Sequence, residues 1–384
     1  MSEKQTVKFG DICREVKLTT KDPIGDGYER YIGLEHLDSG SLKIKRWGII
    51  EEDNPSFTRV FKKGHILFGK RRPYLKKAAI AEFDGICSGD IIVMEPSGDY
   101  IPTELFPFLV QSDDFWDYAI KTSSGSLSPR TKFSSVSEYR FCANKDASFY
   151  NSNLKILRKI EDSIEKNEAF ILSSEKLFNK LVSEARNGKW GRDGDKRSES
   201  WMQQKLRNLV TFRNGKAHEK FIEQHGKYIV VNSKFNSSDG EEQITSNSSF
   251  CSVVEGDILM VMSDVPNGKA IAKCFLVDKD DTYTANQRVA VFSPSCCDSR
   301  FLFFMLNRNP YYLWFDDGLK QTNLRKEEVL DCPILIPELS IQLDIACTLE
   351  KIRASTESAS KNLKSLIELK ISITRETFTK VSDI

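Results

Sequence analysis

Between Lys62 and Lys77 the chain carries seven basic residues, Lys62, Lys63, Lys70, Arg71, Arg72, Lys76 and Lys77, and no acidic one. Such a run neutralises phosphates, because each cation brought to a nucleic acid releases a condensed counterion. Tyr74, between Arg72 and Lys76, adds an aromatic plane and a hydroxyl. Arg71 and Arg72 have the planar fork that meets guanine O6 and N7. On its own the run favours a solvated turn, by roughly two to one, so its context decides. The segment Ser123-Ser124-Gly125-Ser126-Leu127-Ser128-Pro129-Arg130-Thr131-Lys132 is small, hydroxyl-rich and basic, with Arg130 and Lys132 as its cations. That is the make-up of a loop touching a sugar–phosphate backbone. Gly318 to Lys326 has the same character through Lys320, Arg325 and Lys326, and the amides of Gln321 and Asn323 suit adenine edges. Arg213 and Lys216 in Arg213-Asn214-Gly215-Lys216, and Lys269 in Asn267-Gly268-Lys269, put further cations on turns.

A search for catalysis returns decoys. Asn309-Pro310-Tyr311-Tyr312 is close to the Asn-Pro-Pro-Tyr motif of amino-methyltransferases. It lacks the second proline, follows a helix-like run instead of a strand, and has no glycine-rich cofactor loop upstream. His218-Glu219 begins like a zinc-protease helix, but Ile222 stands where the second histidine is needed. There is no G-x-x-x-x-G-K-[ST], no G-x-S-x-G and no Pro-Asp dipeptide. His36 and His65 lie among apolar residues and read as structural. The nine cysteines form no C-x-x-C pair, which argues against a zinc ribbon or a disulfide framework and for reduced, cytoplasmic thiols. The expectation is a chain without catalytic residues or a metal.

The elements that must position these residues come in two copies. Gly64-His65-Ile66-Leu67-Phe68 returns as Gly256-Asp257-Ile258-Leu259-Met260, shifted by 192 residues, half the chain. Each is a turn glycine entering a strand-like run. Ile91 to Pro96 is answered by Arg288 to Pro294, again a strand stopped by proline. Gly125 to Val136 is answered by Gly318 to Val329, and an aromatic helix-like segment precedes each, Leu105 to Tyr118 and Phe301 to Phe315. Each half then ends in a charged segment of helical period. In the first the seam is Leu157, Ile160, Ile164, Asn167, Ile171, Ser174, Phe178, Leu181 and Ala185. In the second it is Leu349, Ile352, Thr356, Ala359, Leu363, Leu366, Lys370 and Ile373. Neither segment holds an internal Pro or Gly, so each can be one helix on the order of 50 Å long. Two such helices either pack on their own domains or pair with each other. The 3-4 spacing on both favours an antiparallel coiled coil with Asn167 near Thr356 and Ala359.

The expected class is therefore α+β, with two similar globular domains separated by two long antiparallel helices. The boundaries read as 1–150 for the first domain, 151–186 for its helix, 187–202 for a linker, 203–337 for the second domain and 338–384 for its helix. A length of 384 residues agrees with two or three domains at ~150 residues each. With 56 Lys and Arg against 55 Asp and Glu, net charge says nothing about partners, so charge arguments are local. A 40% hydrophobic content suits packed cores, and no apolar run reaches the ~20 residues that span a bilayer.

The ordered duplication resembles the DNA-specificity subunits of type I restriction-modification systems. The resemblance covers essentially the whole chain. It rests on Lys8-Phe9-Gly10-Asp11-Ile12 and Leu206-Arg207-Asn208-Leu209-Val210 opening the halves, on the Gly64 and Gly256 strands, and on the Gly125 and Gly318 loops that precede the helices. It implies that each globular part is a target recognition domain reading one half of a split double-stranded DNA site, that the helices set the spacer, and that they dock two modification subunits. It also implies that S-adenosylmethionine sits on those modification subunits and that ATP and Mg belong to restriction/translocase subunits, so that this chain carries no cofactor. A self-sufficient DNA amino-methyltransferase and a coiled-coil scaffold that binds no DNA are the alternatives.

Overall fold

Gly64 and Gly256 make the same turn, at φ +91° and +88°, a left-handed backbone that glycine adopts freely. The structure, a computed structural model, describes residues 4–191, 201–266 and 268–381. Most of the expected linker, 192–200, and Asn267 lie outside the described residues. From each glycine turn the chain enters a buried strand, Ile66–Gly69 and Ile258–Val261. In the first half the antiparallel sheet runs Cys13–Glu15, Ile91–Pro96, Ile66–Gly69, Ala78–Ile80. In the second it runs Val210–Asn214, Val289–Pro294, Ile258–Val261, Cys274–Leu276, the same order and sense. Pro96 and Pro294 each end their strand opposite the first residue of the edge strand, Cys13 and Val210, where a missing N–H is tolerated.

A second sheet in each half holds a parallel pair, Arg30–Ile32 with Gly85–Cys87 and Tyr228–Val231 with Tyr283–Ala285. Here the halves diverge. Arg59–Phe61 extends the first sheet beyond Gly85–Cys87, whereas Thr245–Ser246 and Ile222–Glu223 extend the second on the side of Tyr228–Val231. A third pairing joins the start of each globular part to the strand before its long helix: Lys4–Lys8 with Arg140–Asn144, and Met202–Lys205 with Pro333–Ile336.

The aromatic, helix-like segments are two helices each. Gln111 ends Phe106–Val110, and Ser112, whose hydroxyl accepts from Phe115 N, starts Asp113–Lys121. In the second half Ser299–Leu306 stops before Asn309, whose side chain accepts from Tyr311 N and begins Pro310–Leu313. Polar caps at Ser112 and Asn309, and Pro310 at the first helical position, separate the two helices of each pair. These helices supply the cores: Phe68 stacks on Trp116 at 4.4 Å in the first half, and Phe301, Phe304 and Tyr312 join Phe292 in the second.

The long helices are Ala147–Arg186 and Leu339–Thr377, of 40 and 39 residues. The chain divides into two compact units, Met1–Glu168 with Ser360–Ile384, and Ala169–Ala359, so each unit takes part of both helices. In the first unit Asn153 Nδ2 donates to Thr377 Oγ1 at 2.9 Å, Lys370 pairs with Glu161, and Asn362 Nδ2 donates to Asn167 Oδ1 at 3.3 Å. Partner numbers fall as helix numbers rise, so the helices are antiparallel. In the second unit Val182 and Ala185 share a buried cluster with Ile345, Ala346 and Leu349. Every seam position from Leu157 to Ala185 and from Leu349 to Ile373 is buried or half-buried. The polar layer differs in detail from expectation, since Asn167 bonds Asn362, one turn beyond Thr356 and Ala359. Beyond the second helix, Phe378 is buried and Thr379–Lys380 adds a strand to Arg140–Asn144 in the first unit. Among the described residues no helix is long and apolar enough to cross a membrane. The class is α+β with a paired, antiparallel helical element, as the residue pattern implies.

Candidate nucleic-acid interface

In the first unit the strand Ile66–Gly69 runs out into Lys70 and Arg71, and three backbone hydrogen bonds fix this exit. Lys70 N donates to Asp90 O at 2.9 Å, Thr131 N to Lys70 O at 3.0 Å, and Arg72 N to Pro129 O at 2.7 Å. Arg71 stands opposite Arg130 in an antiparallel bridge. The basic run and the Ser123–Lys132 loop, far apart in the chain, are thereby one edge. The loop is a tight hairpin in which Ser124 and Arg130 exchange bonds of 3.0 and 2.8 Å, with Gly125 at φ +112°. Left-handed backbone at Arg72 and Lys76, φ 53° and 48°, flanks the turn Pro73–Leu75 and presents Tyr74 to solvent.

The run holds no acidic residue in sequence, but folding brings three aspartates to it. Arg130 Nε donates to Asp90 Oδ1 at 2.9 Å, Arg71 Nη1 to Asp90 Oδ2 at 3.5 Å, and Arg71 Nε to Ser128 Oγ at 2.7 Å. Burial pushes the Asp90 carboxyl up, yet the Arg130 hydrogen bond and the charges of Arg130, Arg71 and Lys70 outweigh it and hold it below the usual range. Lys62 pairs with Asp84 at 3.0 Å and Lys76 with Asp113 at 2.6 Å, while Lys77 Nζ donates to Leu34 O at 2.7 Å. The cluster is therefore not a uniform stripe. Lys63, Arg72 and Lys132 are its exposed cations without an ion-pair partner among the described residues, and Lys70 is half-buried beside them.

The second unit repeats the backbone and changes the side chains. Met262 N donates to Arg288 O at 2.9 Å and Leu324 N to Met262 O at 2.8 Å. Ser263 pairs with Asn323. Ser263, Asn323 and Arg288 thus occupy the places of Arg71, Arg130 and Asp90. Ser263 Oγ donates to Asn323 Oδ1 at 2.6 Å, and Gln321 Nε2 donates to Ser263 Oγ at 2.9 Å and Asn323 Oδ1 at 3.2 Å. Gln321 Oε1 and Asn323 Nδ2, an acceptor and a donor, engage no other described residue. Arg288, Lys269, Lys320, Arg325 and Lys326 are exposed around this edge, Lys326 lying over the Phe212 ring at 5.3 Å. At the loop tips Leu127 and Leu319 stand 91% and 81% exposed.

Arg213 is tied down elsewhere. Its Nη1 donates to Ser252 O and its Nη2 to the buried Asp257, both at 2.8 Å, so it braces a turn. Lys216 is exposed, its carbonyl accepting from the buried His218 Nδ1 at 2.6 Å. Asn309 is a helix cap and Tyr312 is buried, its hydroxyl donating to Val329 O, so the motif near that of methyltransferases has structural work. Among the described residues no group of three or more His, Cys, Asp or Glu is placed to hold a metal. Sequence reasoning missed Asp90, Ser263 and Arg288. The repeat shift sets Ser263 under Arg71 and Asn323 under Arg130; the loops before Asp90 and Arg288 differ in length and hide that third equivalence.

Residues 198–369 match the family model of the type I restriction modification DNA specificity domain. The type I restriction enzyme EcoDI specificity subunit of Escherichia coli is 30% identical over 129 residues, 33% of this chain and 28% of that protein's length. A crystal structure of the type I restriction-modification S subunit from M. genitalium superposes with a TM-score of 0.65 at 12% identity, over 99% of this chain and 97% of that one. A chain from a structural study of complex assembly and conformational transition of the type I R-M system gives 0.55 at 17% identity, over 97% of each. These two likenesses establish the fold alone; the family likeness is to the type I restriction modification DNA specificity domain and spans residues 198–369, somewhat under half of the chain.

Proposed function

We propose that this chain is the DNA-reading specificity subunit of a type I restriction-modification complex, with readers at 1–150 and 203–337. The observation that carries the reading is the duplicated edge: the same backbone hydrogen bonds hold Arg71, Arg130 and Asp90 in one unit and Ser263, Asn323 and Arg288 in the other. Two readers of an asymmetric site need one scaffold and two sets of side chains. Lys63, Arg72 and Lys132 in the first unit and Lys269, Lys320, Arg325 and Lys326 in the second would hold phosphates. Leu127 and Leu319 would offer apolar contacts such as those made to thymine methyls.

The paired long helices would set the spacer and dock two modification subunits. In support, they leave Ile156, Phe170, Leu172, Leu177, Ile367 and Leu369 exposed, a residue class that stable interfaces cover. Methyl transfer from S-adenosylmethionine then belongs to the modification subunits, and ATP- and Mg-dependent translocation to restriction subunits. This chain supplies no catalytic residue and works in the cytoplasm.

The test is selection of duplexes from a randomised library by the full chain assembled with its modification subunits, with methyl transfer assayed for each component. Expected is a split motif and methylation by the assembly, with none by this chain alone. Methyl transfer by the isolated chain would favour a self-sufficient methyltransferase, and absence of duplex selection by the assembly would favour a scaffold.

A further inference from the structure

The carboxylate of Asp90 contacts both arginines that face each other across the first unit's edge, and the equivalent amide edge of the second unit is held by a serine hydroxyl. We propose that Asp90 and Ser263 are positioning residues for base recognition: Asp90 aims Arg71 and Arg130 at a guanine in the first half-site, and Ser263 aims Gln321 and Asn323 at an adenine in the second. This rests on the specificity-subunit reading and goes beyond it by naming which side chains select and which hold them in place.

The hydrogen-bond inventory supports the assignment. Arg130 spends Nε and Nη2 on Asp90, and Arg71 spends Nε on Ser128 and Nη1 on Asp90. Arg130 Nη1 and Arg71 Nη2 are left as the two wholly uncommitted nitrogens, enough to donate to the two acceptors of guanine, O6 and N7. A guanidinium pinned before binding has already given up rotamer freedom that an unpinned one loses on contact. In the second unit the Ser263 hydroxyl and Asn323 Oδ1 take both hydrogens of Gln321 Nε2. Gln321 Oε1 is left to accept and Asn323 Nδ2 to donate, the complement of adenine N6–H and N7. Reversal of charge at the third position fits the difference. A carboxylate beside two arginines orients them, whereas Arg288 beside neutral amides leaves a cation for phosphate.

The experiment measures base preference over a randomised duplex library for the full chain with its modification subunits, as wild type and as Asp90→Asn, Asp90→Glu and Ser263→Ala. Asp90→Asn is expected to lower preference for guanine at one position of the first half-site by about tenfold or more, leaving the second half-site and the salt dependence as they were. Asp90→Glu should recover part of that preference. Ser263→Ala should relax one adenine position of the second half-site only. Unchanged guanine preference in Asp90→Asn, or a wild-type first half-site without guanine, overturns the role of Asp90; intact adenine preference in Ser263→Ala overturns that of Ser263. Should Asp90→Asn unfold, seen as a lost melting transition, Asp90→Glu and Ser263→Ala still decide. A wild-type assembly that selects no sequence at all would instead sink the specificity-subunit reading itself.

Discussion

Lys370 of the second long helix forms an ion pair with Glu161 of the first, both side chains largely shielded where the helices pack. In the sequence Lys370 is a charge at an apolar seam position; in the structure it has a dedicated partner. Removing one member strands the other, so Glu161→Ala should cost about 2 kcal/mol. Glu161→Leu with Lys370→Leu should cost far less, because an apolar pair of similar volume replaces a desolvated ion pair. Thermal melts of the three proteins check the ordering.

The cations of the first unit should separate into two groups. Removing Lys63, Arg72 and Lys132 is expected to weaken binding to all duplexes and to reduce the slope of log affinity against log salt by about one per lost contact. Lys76→Ala and Lys77→Ala should move the slope less and the melting temperature more, since Asp113 and Leu34 already engage them. Titration of affinity against salt, alongside melts, tells the groups apart.

Acid should weaken the first unit through two histidines. Burial lowers the His36 and His65 pKa values below 6.5, only partly opposed by nearby carboxylates. Each Nδ1 accepts a backbone N–H, from Gly33 and Lys62, at 3.0 Å, so protonation opposes the fold. With the folded pKa depressed, the unfolded chain binds more protons in the window just below 6.5. Stability is complete above that pH and is lost as pH falls through the folded value. His65→Asn should flatten this dependence, because an amide oxygen accepts the Lys62 N–H and carries no titrating proton, in a turn whose counterpart has the Asp257 side chain accepting from Val254 N. Melting temperatures between pH 5 and 7.5 measure it.

Arg186, at the end of the first long helix, donates to Phe304 O, Met305 O and Asn307 O at 2.8, 3.2 and 2.7 Å. Burial brings its pKa down to about 10, still charged at neutral pH. Arg186→Met leaves three carbonyls short of a donor and should destabilise the second unit by about 3 kcal/mol. Denaturant unfolding is the measurement.

The spacer should follow helix length. A four-residue insertion after Ser174 adds roughly one turn and ~6 Å, and is expected to lengthen the unread spacer by one or two base pairs, about 3.4 Å each, with both half-sites unchanged. Genome-wide mapping of methylated motifs reads the outcome; a fixed spacer in an active protein would remove the ruler role.

The duplicated order of elements was legible in the residues because turn glycines, strand-ending prolines and a 3-4 apolar period are local consequences of backbone sterics and side-chain burial. Gly64 and Gly256, Pro96 and Pro294, and the seam from Leu157 to Ala185 needed no tertiary context to be placed. The helical character of the aromatic segments was legible too, but not where each divides, because a cap such as Ser112 or Asn309 acts through one hydrogen bond that bulk apolarity outweighs in a sequence pattern. The make-up of the proposed interface was decided by tertiary structure. Charge counts along the chain cannot show that Asp84, Asp90 and Asp113 neutralise part of the Lys62–Lys77 run, since their reach is spatial. Nor can they show that Asp90 and Arg288 share one place, because that equivalence is carried by backbone hydrogen bonds across strands whose connecting loops differ in length.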